Sequence, residues 1–477
     1  MRDHVRFFLN GNLHTVRGDA AFLTLTDYLR TELGQVGTKV VCAEGDCGAC
    51  TVVVGRPAGE SYKYAPVDAC ILFVHQVDGA HVVTIEGLAD GAMLHPVQQA
   101  LVDHHGSQCG FCTPGVAMAL TGWAEAGCPQ ESKSPRILLT GNLCRCTGYV
   151  SILEAATEIA RTTPASLNRR YPPALFNDQM PGRDSILVTS LSRLFVAPTV
   201  LADAVAFKAS HPDAVIVAGA TELGVLRNKR GFEPRTLLSL SKIEELNGVE
   251  VGDREIRIGA NASWTEIEAA VRDTIPEFHN IIIRFGSPQI RHVGTLAGNV
   301  ANGSPIADSL GLLSVFDAVV EIAGPHGTRR RSINGFYTGY KKKDLGADEL
   351  IIRIILPIPD VGERLRLTKV SRRNDLDIAT VGSAIRIREV WGLIREAAVA
   401  FTGVAATVVR LPETEEFLNG SSFDESTFRQ AGRIARAEIE PIDDVRGSRQ
   451  YRLQLVENLL VKFFFDEMAT NPLTARA

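Results

Sequence analysis

Q-C-G-F-C-T-P-G at Gln108–Gly115 and G-N-L-C-R-C-T-G-Y at Gly141–Tyr149 set Cys109, Cys112, Cys144 and Cys146 in two tight pairs. After each pair the chain reads as a helix start. Thr113 is expected to cap, with Pro114 in the first turn of an apolar segment running to Trp123. Ser151 and Glu154 fit a capping box at the head of S-I-L-E-A-A-T-E-I-A-R. Helix N-termini carry partial positive charge and unpaired N–H groups, which stabilise thiolates. Four thiolates held this way suit an anionic iron–sulfur cluster. A structural zinc ion also takes four thiolates, and disulfides are a further option, although C-x-C is short for zinc, where two to four residues usually intervene.

The 477 residues have room for about three or four domains. A hydrophobic content of 45% and a charged content of 22% are those of a soluble globular protein. The net charge of −5, without a long basic block, gives nucleic-acid binding no support. The start, M-R-D-H-V-R-F-F-L-N-G, lacks the apolar core of a signal peptide, and no run approaches the roughly 18 apolar residues of a membrane span. L-I-I-R-I-I-L-P-I at Leu350–Ile358 is interrupted by Arg353 and Pro357 and reads as a buried strand. The expectation is a cytoplasmic protein with no membrane contact. All nine cysteines lie at or before Cys146, so a metal-binding front end is joined to a different kind of domain.

Before the paired cysteines, Val5–Val16 alternates around N-G-N at Asn10–Asn12, a hairpin signal. Thr24–Leu33 has helical spacing, with Leu25, Tyr28, Leu29 and Leu33 on one face. Next, C-A-E-G-D-C-G-A-C at Cys42–Cys50, with Cys70 further on, has the C-x4-C-x2-C…C spacing of plant-type [2Fe–2S] sites. Gly45, Gly48 and Ala49 leave room for backbone N–H groups to reach the sulfurs. Hairpin, helix and loop make up a β-grasp ferredoxin. One cluster in the front end turns the reading of the second four-cysteine set towards a cluster as well. Cys128 has no partner spacing and reads as a spare loop thiol.

Thr162–Ser192 is irregular and punctuated by Pro164, Pro172, Pro173 and Pro181, as an interdomain linker would be. From Arg193 the pattern changes. A-V-I-V-A-G-A-T-E-L-G-V at Ala214–Val225 reads as a buried strand entering a glycine-bearing turn, and Arg284–Ser309 is rich in Gly, Asn and Ser. Neither matches the Rossmann or P-loop fingerprints, yet either loop can bind pyrophosphate through backbone N–H groups. Thr368–Thr470 reads as an α/β unit, with strands around Ile385 and Val399 and helices at Glu425–Glu438 and Tyr451–Glu467.

These motifs, taken in order with G-T-L-A-G-N, N-G-S-P-I-A-D-S and K-V-S-R-R-N-D-L-D-I, resemble the small iron–sulfur/FAD subunits of bacterial xanthine dehydrogenases, in the molybdenum hydroxylase family. The resemblance implies an α+β multidomain chain: a β-grasp [2Fe–2S] domain over 1–88, a four-helix [2Fe–2S] domain over 89–162, a linker over 163–192, a non-Rossmann α+β FAD-binding domain over 193–365 and a C-terminal α/β flavoprotein domain over 366–477. It implies Cys42, Cys47, Cys50 and Cys70 as one ligand set and Cys109, Cys112, Cys144 and Cys146 as the other. Val217, Ala218, Gly219, Ala220, Thr221, Glu222, Leu223 and Gly224 would wrap the FAD pyrophosphate. Thr295, Gly298, Asn299, Ser304 and Asp308 would hold the rest of the nucleotide, Lys369 would approach the flavin, and Phe285 would cover the ring where a nicotinamide arrives.

By the same resemblance, a large partner subunit carries a molybdenum–molybdopterin cofactor that hydroxylates a purine. Electrons pass through the helical and then the plant-type cluster to FAD and on to NAD, in a dimer of heterodimers. Rival readings are the equivalent subunit of a hydroxylase acting on an aldehyde or another N-heterocycle, and a non-catalytic metal-binding scaffold. Two positions depart from the family pattern. Val41 replaces the glycine before the first loop cysteine, where positive φ is costly for a β-branched residue, so the loop is expected to differ there. Ala297 replaces the first glycine of a pair and is expected to narrow the phosphate loop.

Overall fold

A computed structural model describes residues 1–129, 134–162, 166–176 and 184–470. Contacts divide the chain into two compact units: Met1–Glu245 with Ser263–Thr265 and Gly286–Gly294, and Leu246–Ala262 with Glu266–Phe285 and Thr295–Ala477.

In the first unit, β1 (Val5–Leu9) and β2 (Asn12–Val16) form the expected hairpin. Its turn puts Asn10 (φ 51°) and Gly11 (φ 85°) in the left-handed region, the backbone that matches strand twist in a two-residue loop. With β3 (Thr51–Ala58), β4 (Ser61–Asp68) and β5 (His81–Val83) it makes a mixed sheet ordered β2-β1-β5-β3-β4. The helical turn Leu25–Asp27 covers this sheet; Thr24 accepts from Asp27 N, and Leu25, Leu29, Val52 and Val82 share its core.

The next segment is helical: α1 (Pro96–Asp103), α2 (Thr113–Glu125) and α3 (Val150–Arg161) pack around Trp123, Leu120, Ile152 and Ile159. Both expected caps are corrected. Cys112, not Thr113, is the N-cap of α2, and Thr113 instead donates to Ser107 Oγ. Tyr149, at φ 68°, precedes α3, so Ser151 lies inside the helix. The cysteine turns run directly into the helices and take the cap positions.

The expected linker is only partly a linker. Leu167 and Phe176 are fully buried, and the Phe176 ring packs tilted against Phe8 with centroids 4.4 Å apart. The Asn168 amide exchanges two 2.9 Å hydrogen bonds with the Tyr62 backbone, completing the outer edge of β4. Tyr171 donates to Gly87 O. Pro164 and Pro181 lie outside the described residues. β6 (Ile186–Thr189) begins before the expected boundary at 193 and joins β7 (Leu194–Ala197), β8 (Val215–Val217) and β9 (Thr236–Ser239) in the order β6-β7-β9-β8. Helices α4 (Leu201–Ser210) and α5 (Leu223–Arg230) accompany these strands.

His75 lies in this unit's core between the Phe73 and Phe195 rings, at 5.2 and 4.2 Å, with neither ring nitrogen hydrogen-bonded. Burial lowers its pKa from 6.5 to about 3. The unfolded chain takes up a proton that the folded chain refuses. Stability is therefore complete above pH 6.5 and is lost as pH falls towards 3, by up to about 5 kcal/mol. Melting curves against pH should show His75→Phe flattening this dependence and raising stability at neutral pH; an unchanged acid slope would reject the assignment.

In the second unit, β10 (Val249–Val251), β11 (Glu255–Gly259), β12 (Val319–Gly324), β13 (Gly327–Ser332) and β14 (Leu350–Pro357) form an antiparallel sheet ordered β10-β11-β14-β12-β13. β14 is the buried strand expected from its sequence, and Arg353 within it pairs with Glu321 at 2.9 Å. Helices α6 (Pro276–Ile282), α7 (Leu296–Asn302) and α8 (Leu310–Val315) complete this part. The C-terminal part is a sheet of β15 (Glu363–Val370), β16 (Val381–Val390), β17 (Leu393–Thr402) and β18 (Val409–Arg410), with α9 (Pro412–Leu418), α10 (Glu425–Ala437) and α11 (Arg449–Thr470). Phe428, Val456 and Phe463 join helices to sheet in one core. Among the described residues no helix is long and apolar enough to cross a membrane.

Candidate metal and flavin centres

The plant-type loop gathers its four sulfurs. Cys42 is in hydrogen-bonding contact with Cys47 and Cys70, and Cys50 with Cys70. Contacts from Cys47 and Cys70, then N–H groups of Glu44 and Asp46, hold the Cys42 thiol far below its ordinary pKa against burial. Asp46 N lies 3.4 Å from Cys42 Sγ, and the Ala49 N–H faces Cys47. These are the N–H contacts expected of the glycine-bearing loop, with Gly45 at φ 75° and Gly48 at φ 66°. Val41 is exposed and needs no positive φ; the left-handed residue is Ala43, at φ 55°. The positive φ expected to strain Val41 is therefore not adopted there.

The helical set forms two contacting pairs, Cys109 with Cys146 and Cys112 with Cys144. The Phe111 N–H, then Cys146, lowers the Cys109 pKa. Burial, then Cys144, pushes Cys112 up to about 12. Burial opposes ionisation of Cys144, but the Thr147 hydroxyl, 3.2 Å from its sulfur, and the Thr147 N–H outweigh it. Tyr149 Oη accepts from Cys144 N and donates to Asn142 O. Among the described residues no disulfide joins any of the nine cysteines. Among the described residues no three His, Cys, Asp or Glu side chains surround a single metal position. Sulfurs in adjacent pairs suit a two-iron centre, in which each iron takes two thiolates.

Sequence reasoning missed the residues that brace these loops. Leu143 N donates to Cys47 O at 2.9 Å, which joins the two cysteine segments through one hydrogen bond. The Asn228 amide on α5 donates to Ala43 O (3.0 Å) and Cys70 O (2.7 Å), linking the loop to its distant fourth cysteine. A Cβ on Gly224 would stand 2.4 Å from Ile71 O, so only glycine lets α5 approach so closely. Within the expected pyrophosphate loop, a Cβ on Gly219 would meet Val293 O at 1.9 Å, and Ala220 adopts φ 57°. Gln76 holds Ala218 O at 3.0 Å.

In the second unit, Thr295 caps α7 by accepting from Gly298 N, and Ala297 is buried in its first turn. Asn299 Oδ1 accepts from Ser309 Oγ at 2.7 Å, and Ser304 Oγ accepts from Ile306 N. Asp308 and Lys369 form a buried 2.6 Å ion pair on a cavity also lined by Gly382, Ser383 and Thr402. Asp308 Oδ1 and Thr402 Oγ1 are buried there without partners, and burial raises the Asp308 pKa despite Lys369. Unspent acceptors beside a buried ammonium fit a polar group of a bound flavin nucleotide. Phe285 is half-buried, so it is not a core phenylalanine.

Four family models match in succession: a 2Fe-2S iron–sulfur cluster binding domain over 7–71, a [2Fe-2S] binding domain over 84–157, an FAD binding domain in molybdopterin dehydrogenase over 189–359, and a CO dehydrogenase flavoprotein C-terminal domain over 366–466. Taken together, the four domains match the small iron–sulfur/FAD subunit of the molybdenum hydroxylase family. Among curated relatives, xanthine dehydrogenase 1 of Arabidopsis thaliana is 30% identical over 96% of this chain, and xanthine dehydrogenase of Drosophila pseudoobscura is likewise 30% identical. The chain spans 39% of the length of each. Among solved structures, carbon monoxide dehydrogenase from Hydrogenophaga pseudoflava matches with a TM-score of 0.54 and 27% identity, covering 56% of this chain and 94% of that one. Quinoline 2-oxidoreductase from Pseudomonas putida 86 matches at 0.53, also with 27% identity, covering 57% and 94%.

Proposed function

We propose that this chain relays electrons for a molybdenum hydroxylase of the xanthine dehydrogenase type. Cys42, Cys47, Cys50 and Cys70 hold one [2Fe–2S] cluster, and Cys109, Cys112, Cys144 and Cys146 the other. The observation that carries the reading is the direct hydrogen bond from Leu143 N to Cys47 O between the two cysteine segments. When bound, the clusters would move single electrons, and FAD would pair them for a two-electron acceptor, NAD. The chain's own residues hold and screen these groups. Backbone N–H groups stabilise the thiolates. The 217–224 loop takes pyrophosphate, Asp308 and Lys369 present opposite charges to the flavin ring, and Thr295, Gly298, Asn299 and Ser304 hold the rest of the nucleotide.

Cys109 and Cys146 are exposed, with Phe111, Leu143 and Val150 exposed around them in sequence. A partner carrying molybdenum and the purine-binding site would cover this apolar rim, and two such pairs would associate about a two-fold axis. The carbon monoxide and quinoline enzymes among the structural neighbours favour a second reading, the same relay serving a different substrate.

Purified protein should contain about four irons per chain as [2Fe–2S] centres, one FAD and little zinc. Stoichiometric zinc in a colourless protein would overturn the assignment. Phe285→Ala should keep iron, FAD and melting temperature while changing KM or kcat for NAD. Unaltered NAD kinetics with a large loss of stability would reject a role at the flavin.

A further inference from the structure

Between the two cysteine segments lies a seam where the chain approaches itself across glycines. A Cβ on Gly48 would stand 2.1 Å from Gly141 O, one on Gly115 would stand 2.1 Å from Gly48 O, and one on Gly141 would stand 2.2 Å from Gln289 Oε1. Gly48 and Gly115 thus let Cys47–Cys50, the start of α2 and the run into Cys144 touch backbone to backbone, while Gly141 leaves room for the Gln289 side chain. Such contact brings two centres close, but glycine backbone is permissive and does not itself fix their separation.

What fixes it is a buried amide–hydroxyl network. Gln289, fully buried, donates from Nε2 to Asn142 Oδ1 at 2.8 Å and to Thr51 Oγ1 at 3.2 Å. Asn142, also buried, donates from Nδ2 to Gly48 O at 3.0 Å and to Thr51 Oγ1 at 3.3 Å. Thr51 donates to Gly48 O at 2.7 Å. Gln289 arrives on Gly286–Gly294, which comes from the matched FAD-binding domain and packs in the first unit. Its neighbours anchor it there: Ile290 packs on Cys50, Cys70 and Ile71, and His292 Nδ1 lies 2.8 Å from Pro66 O. Gln289 Oε1 has no partner. The amide is therefore placed for its donor end, and a buried donor shared by two acceptors from different segments holds both.

We propose that Gln289 is a positioning residue that locks the two cluster-bearing segments at one separation, so that electron passage between them depends on a side chain from the flavin-binding part of the chain. This rests on the relay reading above. Tunnelling and magnetic dipolar coupling both fall steeply with distance, so loosening the seam changes them even when both clusters remain.

The test uses the full chain in its assembled complex, reduced with dithionite, with Gln289→Leu and Gln289→Glu, which fill the same space without the amide donor. Expected are unchanged iron content, two iron–sulfur signals in low-temperature electron paramagnetic resonance, and loss or broadening of the splitting between them. Full splitting in both variants with both clusters present would overturn the proposal. If either substitution drops a cluster, Thr51→Val, which removes the shared hydroxyl, decides by the same readout: reduced splitting supports the lock and full splitting overturns it. Unmodified protein lacking two iron–sulfur signals would instead overturn the relay reading itself.

Discussion

Cys144→Ala is expected to remove one cluster outright, lowering bound iron from about four to about two per chain, while the plant-type cluster stays. Cys144 is the most enclosed of the helical set: it is buried, contacts Cys112, and is held by Thr147 and, through its backbone, by Tyr149. Losing it deprives one iron of half its thiolates and leaves a cavity at the head of α3. Cys128→Ser is the matched control. Cys128 packs half-buried against the same helical core, at φ 52° beyond the end of α2, and burial alone raises its thiol pKa. It should keep all the iron and the activity. Iron analysis and visible spectra on the two variants decide; loss of a cluster in the Cys128 variant would show the ligand set to be wrong.

Gly115→Ala should destabilise the protein, against helix propensity. In an ordinary helix the change adds about 1 kcal/mol of stability. Here the new methyl would stand 2.1 Å from Gly48 O and 3.2 Å from Ala49 Cα, both backbone atoms of the plant-type loop. Neither can swing aside as a side-chain tip can. Forced overpacking of this kind costs roughly 1–3 kcal/mol or more, and the strain falls on the segment between Cys47 and Cys50. A lower melting temperature together with reduced iron is the expected result. A gain in stability would mean that the two segments are not in contact in solution.

The parts of this molecule legible in sequence are those written in short spacings. The hairpin at Asn10–Gly11, the C-x4-C-x2-C loop and the paired cysteines each depend on neighbours a few residues apart; the hairpin forms as read, and the fold brings the sulfurs of each cysteine set into contact, the helical set as Cys109 with Cys146 and Cys112 with Cys144. The caps at Thr113 and Ser151 were misread because their chemistry is right but the cysteine turns already occupy the positions. Asn142, Asn228 and Gln289 carried no signal. Each bonds across separations of 91 to 238 residues, and an amide side chain looks like any other until the fold brings its partners. Asp308 and Lys369 were found only by resemblance, and the fold pairs them across 61 residues.

Asn168 turns the tether between domains into a lid on a sticky edge. β4 is the last strand of its sheet, and the Asn168 amide satisfies both backbone groups of Tyr62 as a neighbouring strand would. A fragment cut after Arg161 would keep all nine cysteines and yet present an open strand that carries Tyr62 and Tyr64, the kind of template on which sheets from separate molecules pair. Such a piece should self-associate in proportion to its concentration, whereas one continued through Phe176 should stay monodisperse.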